Sequence, residues 1–338
     1  MPTYVPLLIG VALILILVVW SHWYERRVTT ERPPAGEMVR TPRGQVHLIT
    51  RGAGKDTGKP PVVLIHGSMT NALDMDVDLA GRLEEERPVL IPDRPGHGYT
   101  DRPEDGWRLD VQAAMIRDAV AASGAERPVL IGQSYGGAVA LRYALDFPDE
   151  VAGLLLVAPV THPWPGGVTW YHRMGLNPLY GWLFRRSFIA LYGRYGSPRG
   201  VARALRGSMV ASRYHARTRV PMTFRPGAFH HNSQDIVRLY EQLYSMSRCY
   251  PRIGVPVEAV AGTHDMTVMT SVHSRTLEKE IPHFRLKVVD GGGHALHHTH
   301  PEEVVEALDR LDTRLASAAR SPLQGALRRL TSVFPRSA

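Results

Sequence analysis

Residues 129–138 read Val-Leu-Ile-Gly-Gln-Ser-Tyr-Gly-Gly-Ala, an apolar run that passes directly into a G-x-S-x-G turn and then into a helical pattern. The residues before Gly132 suit a buried strand, and Ala138, Val139, Leu141, Ala144 and Leu145 mark a helix after it. A serine hydroxyl is a poor nucleophile at its free pKa, so a chain that uses one must expose it on a sharp turn where a base can reach it. Gly132 and Gly136 permit that turn, because β-carbons there would collide where strand and helix pass on either side of Ser134. The motif alone is common by chance. Its strand-to-helix setting is what makes it informative.

Outward from the elbow, short apolar runs at 62–66, 89–92, 129–132, 154–157, 257–261 and 285–290 read as strands. Amphipathic stretches at 73–86, 109–123, 271–280 and 301–319, with the one after Ser134, read as helices between them. Continuous apolar strands separated by such helices predict an α/β fold with a mostly parallel sheet covered on both faces. Residues 37–41 and 45–51 predict an edge hairpin turned by Pro42-Arg43-Gly44, and 52–61 a loop. The alternation stops at Ala158-Pro159 and resumes at Val257, and a structureless loop that long would be exceptional. Residues 161–255, with Trp164, Trp170, Tyr171, Trp182, Phe184 and Phe188 near their start, are therefore expected to form a helical cap over the sheet.

The N-terminus carries a second signal. Residues 5–20 are uncharged and almost wholly apolar, bordered by Tyr4 and by Trp20, Trp23 and Tyr24, and they just reach the length needed to span a bilayer. A cleaved signal peptide would require positive charge before the run and small residues after it, and neither is present. One transmembrane anchor is expected, and Arg26, Arg27, Arg32, Arg40 and Arg43 just beyond it favour a cytoplasmic catalytic part. The chain then divides into anchor and flank (1–28), first part of the core (29–160, opening on a linker over 29–36), cap (161–255), second part of the core (256–319) and a basic tail (320–338). In the tail, Leu323, Leu327, Leu330 and Phe334 share a helical stripe beside Arg328 and Arg329, which fits either a membrane-surface helix or a frayed terminus.

At 338 residues and 44% hydrophobic content, the bulk of the chain has material for a large globular core. A lone Cys249 excludes an internal disulfide and any C-x-x-C metal or redox pattern. The net charge of +8 concentrates in 161–255, where fourteen Arg face only Asp235 and Glu241. Such a face suits anionic lipid, though arginine-rich composition alone accounts for it equally well. No nucleic-acid-binding module accompanies the charge, so nucleic acid is not an expected partner.

Serine chemistry also needs a base, a carboxylate to orient it and backbone N–H donors for an oxyanion. His294 stands in Gly291-Gly292-Gly293-His294, an uncluttered loop after a strand that is able to turn the imidazole towards Ser134. Asp265, just after the strand at 257–261, is the preferred acid; Asp290 is the rival, but it lies only four residues before His294. The oxyanion donors are expected to be the N–H of Tyr135 and, from the loop Leu64-Ile65-His66-Gly67-Ser68-Met69, that of Ser68, with Met69 as the alternative. His297, His298 and His300 crowd behind His294, but no regular ligand spacing with an acidic partner is visible. Neither a metal nor a cofactor is expected.

Five motifs in order, His66-Gly67, Asp93-Arg94-Pro95-Gly96-His97-Gly98, Gly132-Gln133-Ser134-Tyr135-Gly136-Gly137, Gly262-Thr263-His264-Asp265 and Gly293-His294, resemble the α/β-hydrolase superfamily, in particular its lid-bearing esterases and lipases. The resemblance spans about 37–319 apart from the cap. It implies that the Asp93–Gly98 turn has a shaping role, and that the serine argues against the epoxide hydrolases and haloalkane dehalogenases, whose nucleophile is Asp. The short H-G-S loop departs from the H-G-G-G motif of hormone-sensitive-type lipases. The expected function is a membrane-anchored serine hydrolase acting on carboxylic esters or thioesters, including lipid ones, through an acyl-enzyme. The same triad would also serve acyl transfer, perhydrolysis or C–C bond hydrolysis. A lipid- or ligand-binding protein without catalysis is the alternative of another class.

Overall fold

A computed structural model describes residues 4–55, 57–204 and 210–320. The predicted α/β architecture is present as an eight-stranded sheet in the order β1-β2-β4-β3-β5-β6-β7-β8. β1 (Glu37–Thr41) and β2 (Gly44–Arg51) form the edge hairpin, and β2 also lies antiparallel to β4 (Val89–Pro92). β3 (Val62–Ile65), β4, β5 (Val129–Gln133), β6 (Gly153–Val157), β7 (Val257–Gly262) and β8 (Phe284–Val289) are mutually parallel where they pair. Every residue of β3 to β7 is buried, as the unbroken apolar runs required of a sheet covered on both sides.

Successive side chains of these strands enter two separate cores. Val63, Ile65, Leu130, Leu154 and Leu156 pack with α3 (Leu109–Ala122) and α4 (Tyr135–Asp146) on one face. Val62, Leu64, Ile131, Leu155 and Val157 pack on the other with Met75 and Leu79 and with Leu308 and Leu311 of α8 (Pro301–Arg320). Each such fully buried aliphatic side chain contributes roughly 1.5–3 kcal/mol.

Three local expectations are corrected. The stretch read as one helix over 73–86 begins at Ala72 in α2 (Ala72–Met75) and passes through a π-turn (Asp76–Ala80) before ending at Leu83, with the Asn71 side chain capping Leu73 N–H. The helix read from 271 starts three residues later, as α7 (Ser274–Glu280), because Asp265 Oδ1 accepts the N–H groups of Thr267 and Val268 and Thr270 donates its hydroxyl to Gly262 O, holding that span as a turn. The N-terminal helix α1 (Val5–Thr30) continues through Thr29 and Thr30, whose hydroxyls donate to the carbonyls of Glu25 and Arg26, so the linker opens at residue 31. α1 is long and apolar enough to cross a membrane.

Between β6 and β7 the chain forms helices, including α5 (Trp170–Leu176) and the long α6 (Pro226–Met246), which pack on each other above the carboxyl ends of the strands. α6 is fastened to the core by charge: buried Asp235 accepts from Arg94 at 2.9 Å and from Arg102 at 2.7 Å. The C-terminal segment 321–338, with its leucine stripe, lies outside the described residues.

Candidate active site

Ser134 sits between β5 and α4 with φ 53° and ψ −116°, a backbone conformation that costs on the order of 1–3 kcal/mol and is held by its surroundings. Its N–H donates to Val157 O, and its carbonyl accepts from Gly137 N–H and Val160 N–H, each at 3.0 Å. A β-carbon on Gly136 would fall 2.1 Å from Ile65 O, and one on Gly132 2.5 Å from Gly136 O. Both glycines are therefore required by the closeness of strand and helix.

His294 follows β8 on the glycine loop, and its Nδ1–H donates to Asp265 Oδ2 at 2.8 Å. Asp265 is almost fully buried, and its other oxygen is held by the two N–H groups at 2.8 Å each that shape the turn after β7. Asp290 takes no part in this pairing: it is exposed and accepts the Thr263 hydroxyl at 3.2 Å. With Nδ1 donating, His294 Nε2 is an acceptor, and the Gln133 side-chain amide meets it at 3.4 Å. Ser134 and His294 line the same cavity, but among the described residues no hydrogen bond joins their side chains.

Tyr135 and Ser68 also stand beside Ser134. Tyr135 N–H is the first of α4, where helical N–H groups have no partner within the helix. Met69 differs: its N–H donates to Asn232 Oδ1 at 2.9 Å, and the same oxygen accepts the Ser68 hydroxyl at 2.8 Å. Asn232, from cap helix α6, thus engages the Met69 N–H, whereas the Ser68 N–H has no acceptor among the described residues.

Beneath this loop the Asp93–Gly98 turn acts as scaffold. Arg94 is fully buried, donates to the carbonyls of His66 and Gly67 at 3.1 and 3.0 Å, and lies 4.2 Å over the Tyr135 ring. His66 accepts Arg94 N–H at Nε2 and donates from Nδ1 to Gly67 O, so it is neutral; burial, helped by the Arg94 charge, lowers its pKa to about 4. Asp93 caps Ala72 N–H at 2.7 Å and accepts from His47 at 2.6 Å.

The cavity, about 530 Å³, runs from Ser134, His294 and Gln133 past Phe229, Phe224 and Val220 towards Trp170 and Phe188. Its walls are chiefly apolar, with one polar corner that the sequence did not disclose. There Asp74, from α2, meets His297 and His298, three potential ligand atoms within 4.8 Å of one another. Asp74 is thus the acidic partner missing from the histidine cluster when it is read along the chain. Each of these atoms is already engaged: His297 Nε2 with Asp74 at 3.2 Å, and His298 between Asp74 at 3.0 Å and Asp78 at 2.8 Å, while the Tyr214 hydroxyl also donates to Asp74. Burial alone would lower His298, but its bonds to the two carboxylates outweigh it and raise the pKa to about 9. Burial would likewise raise Asp74, yet His297 and His298 hold it well below the usual carboxylate range. Burial and the His298 charge push His297 down to about 4. The corner is an ion-paired network that ties the loop after His294 to α2 and the cap, with the buried His297 Nδ1 left without a partner among the described residues.

Against known proteins, the sequence pattern of the alpha/beta hydrolase fold matches residues 60–301. The chain belongs to the α/β-hydrolase family. The hydrolase is 26% identical over 283 residues to the uncharacterized protein Rv2715 of Mycobacterium tuberculosis, covering 80% of this chain and 81% of that one. It is 26% identical over 299 residues to the esterase Rv0045c of the same organism, covering 83% and 91%. Among solved structures it superposes on a putative lipase, lip1, of Acinetobacter baumannii AYE with a TM-score of 0.67 at 19% identity, covering 87% and 97%.

Proposed function

We propose that this hydrolase is a membrane-anchored serine hydrolase that cleaves a carboxylic ester or thioester of an apolar acyl group, with its catalytic part on the cytoplasmic side. The supporting observation is the 2.8 Å bond from His294 Nδ1–H to Asp265, which makes Nε2, now met by the Gln133 amide, the acceptor nitrogen on the cavity that Ser134 also lines. The esterase relative points the same way.

In this reading, substrate displaces the Gln133 amide from Nε2, and His294 on its glycine loop closes on Ser134 Oγ. Catalytic hydrogen bonds commonly tighten only when substrate is bound. His294 takes the Ser134 proton as Oγ attacks the acyl carbonyl, and Asp265 stabilises the imidazolium. The Tyr135 and Ser68 N–H groups face the oxyanion. His294 then returns the proton to the leaving alcohol or thiol, and water activated by the same base releases the acid. The apolar walls contributed by Phe229, Phe224 and Val220 suit an acyl chain.

The test is Ser134→Ala in the full chain. It is expected to abolish both labelling by a fluorophosphonate probe and turnover of p-nitrophenyl esters, with unfolding unchanged. Full labelling of that variant would reject the assignment, and product accumulation as ester when alcohol competes with water would redirect it to acyl transfer.

A further inference from the structure

The cap segment over residues 185–196 has two sides that face different things. On one side Arg186 pairs with Glu25 of α1 at 2.9 Å and Tyr195 stacks on Trp20 at 6.4 Å. On the other, Phe188, Ile189 and Tyr192 line the cavity. A thin wall of cap therefore separates the apolar helix from the acyl-binding space. The contact continues further along α1, where Tyr24 and Val28 bury themselves against Met222.

All these contacts lie from Trp20 onward, at one end of the helix. Across the fifteen residues from 5 to 19 most of the leucines, isoleucines and valines stand open, Leu7 at 70% and Val19 at 68% exposure, with Val5, Leu17 and Val18 half-buried. That stretch is about 22 Å long at 1.5 Å per residue, short of a hydrocarbon layer of about 30 Å. A helix with such a shortfall draws its flanking residues down into the interface. Here the flank is joined to the cap.

The cap presents a surface suited to that position. Leu179 is 89% exposed, Trp170 60% and Trp182 55%, with Tyr180 and Phe188 close behind, and Arg173 and Arg194, interleaved with them along the sequence, are exposed too. Exposed aromatics interleaved with arginine match the composition of the headgroup boundary, where ring bodies are apolar and cations meet lipid phosphates. Trp170 and Phe188 also line the cavity, so its mouth opens through this same surface.

We infer that the aromatic face of the cap seats in the lipid bilayer beside α1, and that the cavity takes its substrate laterally from the membrane between Trp170 and Phe188. The substrate class is then a bilayer-resident amphiphile whose acyl chain slides in from the lipid, with the scissile ester reaching Ser134. The bilayer is the occupant because this face is continuous with the one helix long and apolar enough to cross a membrane among the described residues. The ester chemistry in this statement rests on the function proposed above.

The experiment uses the full chain in phosphatidylcholine–phosphatidylglycerol vesicles, with Cys249→Ser and a single new cysteine carrying the fluorophore NBD. One site is Leu179→Cys; the other is Glu126→Cys, exposed just before β5 at the amino ends of the strands, on the side away from the cavity. Doxyl-labelled lipid is expected to quench the label at 179 at least twofold and to leave that at 126 unchanged. Equal behaviour at both sites overturns the inference, as does a blue-shifted label at 179 that doxyl lipid does not quench, which would indicate a second protein copy on this face. In parallel, Leu179→Glu with Trp182→Glu is expected to slow hydrolysis of a long-chain ester dispersed in the vesicles tenfold or more while a short soluble ester is turned over at the parent rate. Equal loss on both substrates overturns lateral uptake. If the parent turns over neither ester, the proposed function fails, and the quenching result still decides where the cap sits.

Discussion

Replacing Asp265 by Asn changes a single atom, and the surroundings dictate which way the new amide points. Oδ1 accepts two backbone N–H groups at 2.8 Å each, from Thr267 and Val268, whereas Oδ2 accepts only His294 Nδ1–H, also at 2.8 Å. An amide NH2 at the Oδ1 position would lose two hydrogen bonds and face two donors, so the carbonyl stays there and the NH2 turns to His294. The difference is one to two buried hydrogen bonds, roughly 1–3 kcal/mol. His294 must then accept at Nδ1 and carry its proton on Nε2, the tautomer that is unable to deprotonate Ser134. The expected loss in kcat is on the order of 10⁴, or about 5 kcal/mol of barrier at 1.36 kcal/mol per decade. The assay is p-nitrophenyl ester turnover by the full chain in detergent, with thermal unfolding as a check on integrity. Asp290→Asn is the comparator; that carboxylate is exposed and among the described residues pairs only with Thr263, so its removal is expected to leave kcat within threefold. Asp265→Asn retaining more than a tenth of parent activity, or Asp290→Asn losing a thousandfold, would refute the reasoning.

Other expectations follow from the packing. Gly136→Ala places a β-carbon 2.1 Å from Ile65 O, whereas Gly227→Ala meets nothing within 4 Å. The first should lower stability by about 3 kcal/mol or more and the second leave it unchanged, measured by denaturant unfolding. Asp235→Ala strands the buried Arg94 and Arg102 guanidinium groups and should cost roughly 3–5 kcal/mol, with loosening of the cap read by limited proteolysis; a loss below about 1 kcal/mol would contradict the pairing. His298, held at about 9, has its folded pKa above the unfolded value of about 6.5. Its contribution, on the order of 3 kcal/mol, is fully present below pH ~6.5 and lost as pH rises through 9. Unfolding free energy should therefore fall across that window in the parent and stay nearly flat in His298→Gln; equal slopes would show that the Asp74–His298–Asp78 network does not hold the proton.

The sheet was legible because its signals are local. Apolar runs of four to six residues at 62, 89, 129, 154 and 257 bury on both sides and need no partner to be recognised. Ser134, His294 and Asp265 were legible for a related reason: each follows a strand, at the carboxyl edge of the sheet, where ordered motifs mark it. Groups contributed by the cap were not. Asn232, which engages Met69, lies on a helix whose pattern gives no hint that one polar side chain crosses 163 residues of sequence to the loop after β3. Asp74 could not be joined to His297 and His298 either, since 223 and 224 positions separate them and only the packing of α2 against the loop after His294 brings them together. Gln133 was in view as the residue before Ser134, but nothing in its type foretold that its amide would meet His294. The start of the linker, placed at Thr29, falls two residues later because the helix runs on to Thr30, past the packing of Tyr24 and Val28 on Met222.

That packing bears on how the enzyme is prepared. Trimming the first thirty residues to gain a water-soluble fragment would strip the cover from Met222 and Tyr99 and leave Arg186 and Arg225 without Glu25 and Thr29. The cut would unfasten part of the cap as well as remove the apolar helix, so rates obtained on such a fragment would describe an altered cavity wall.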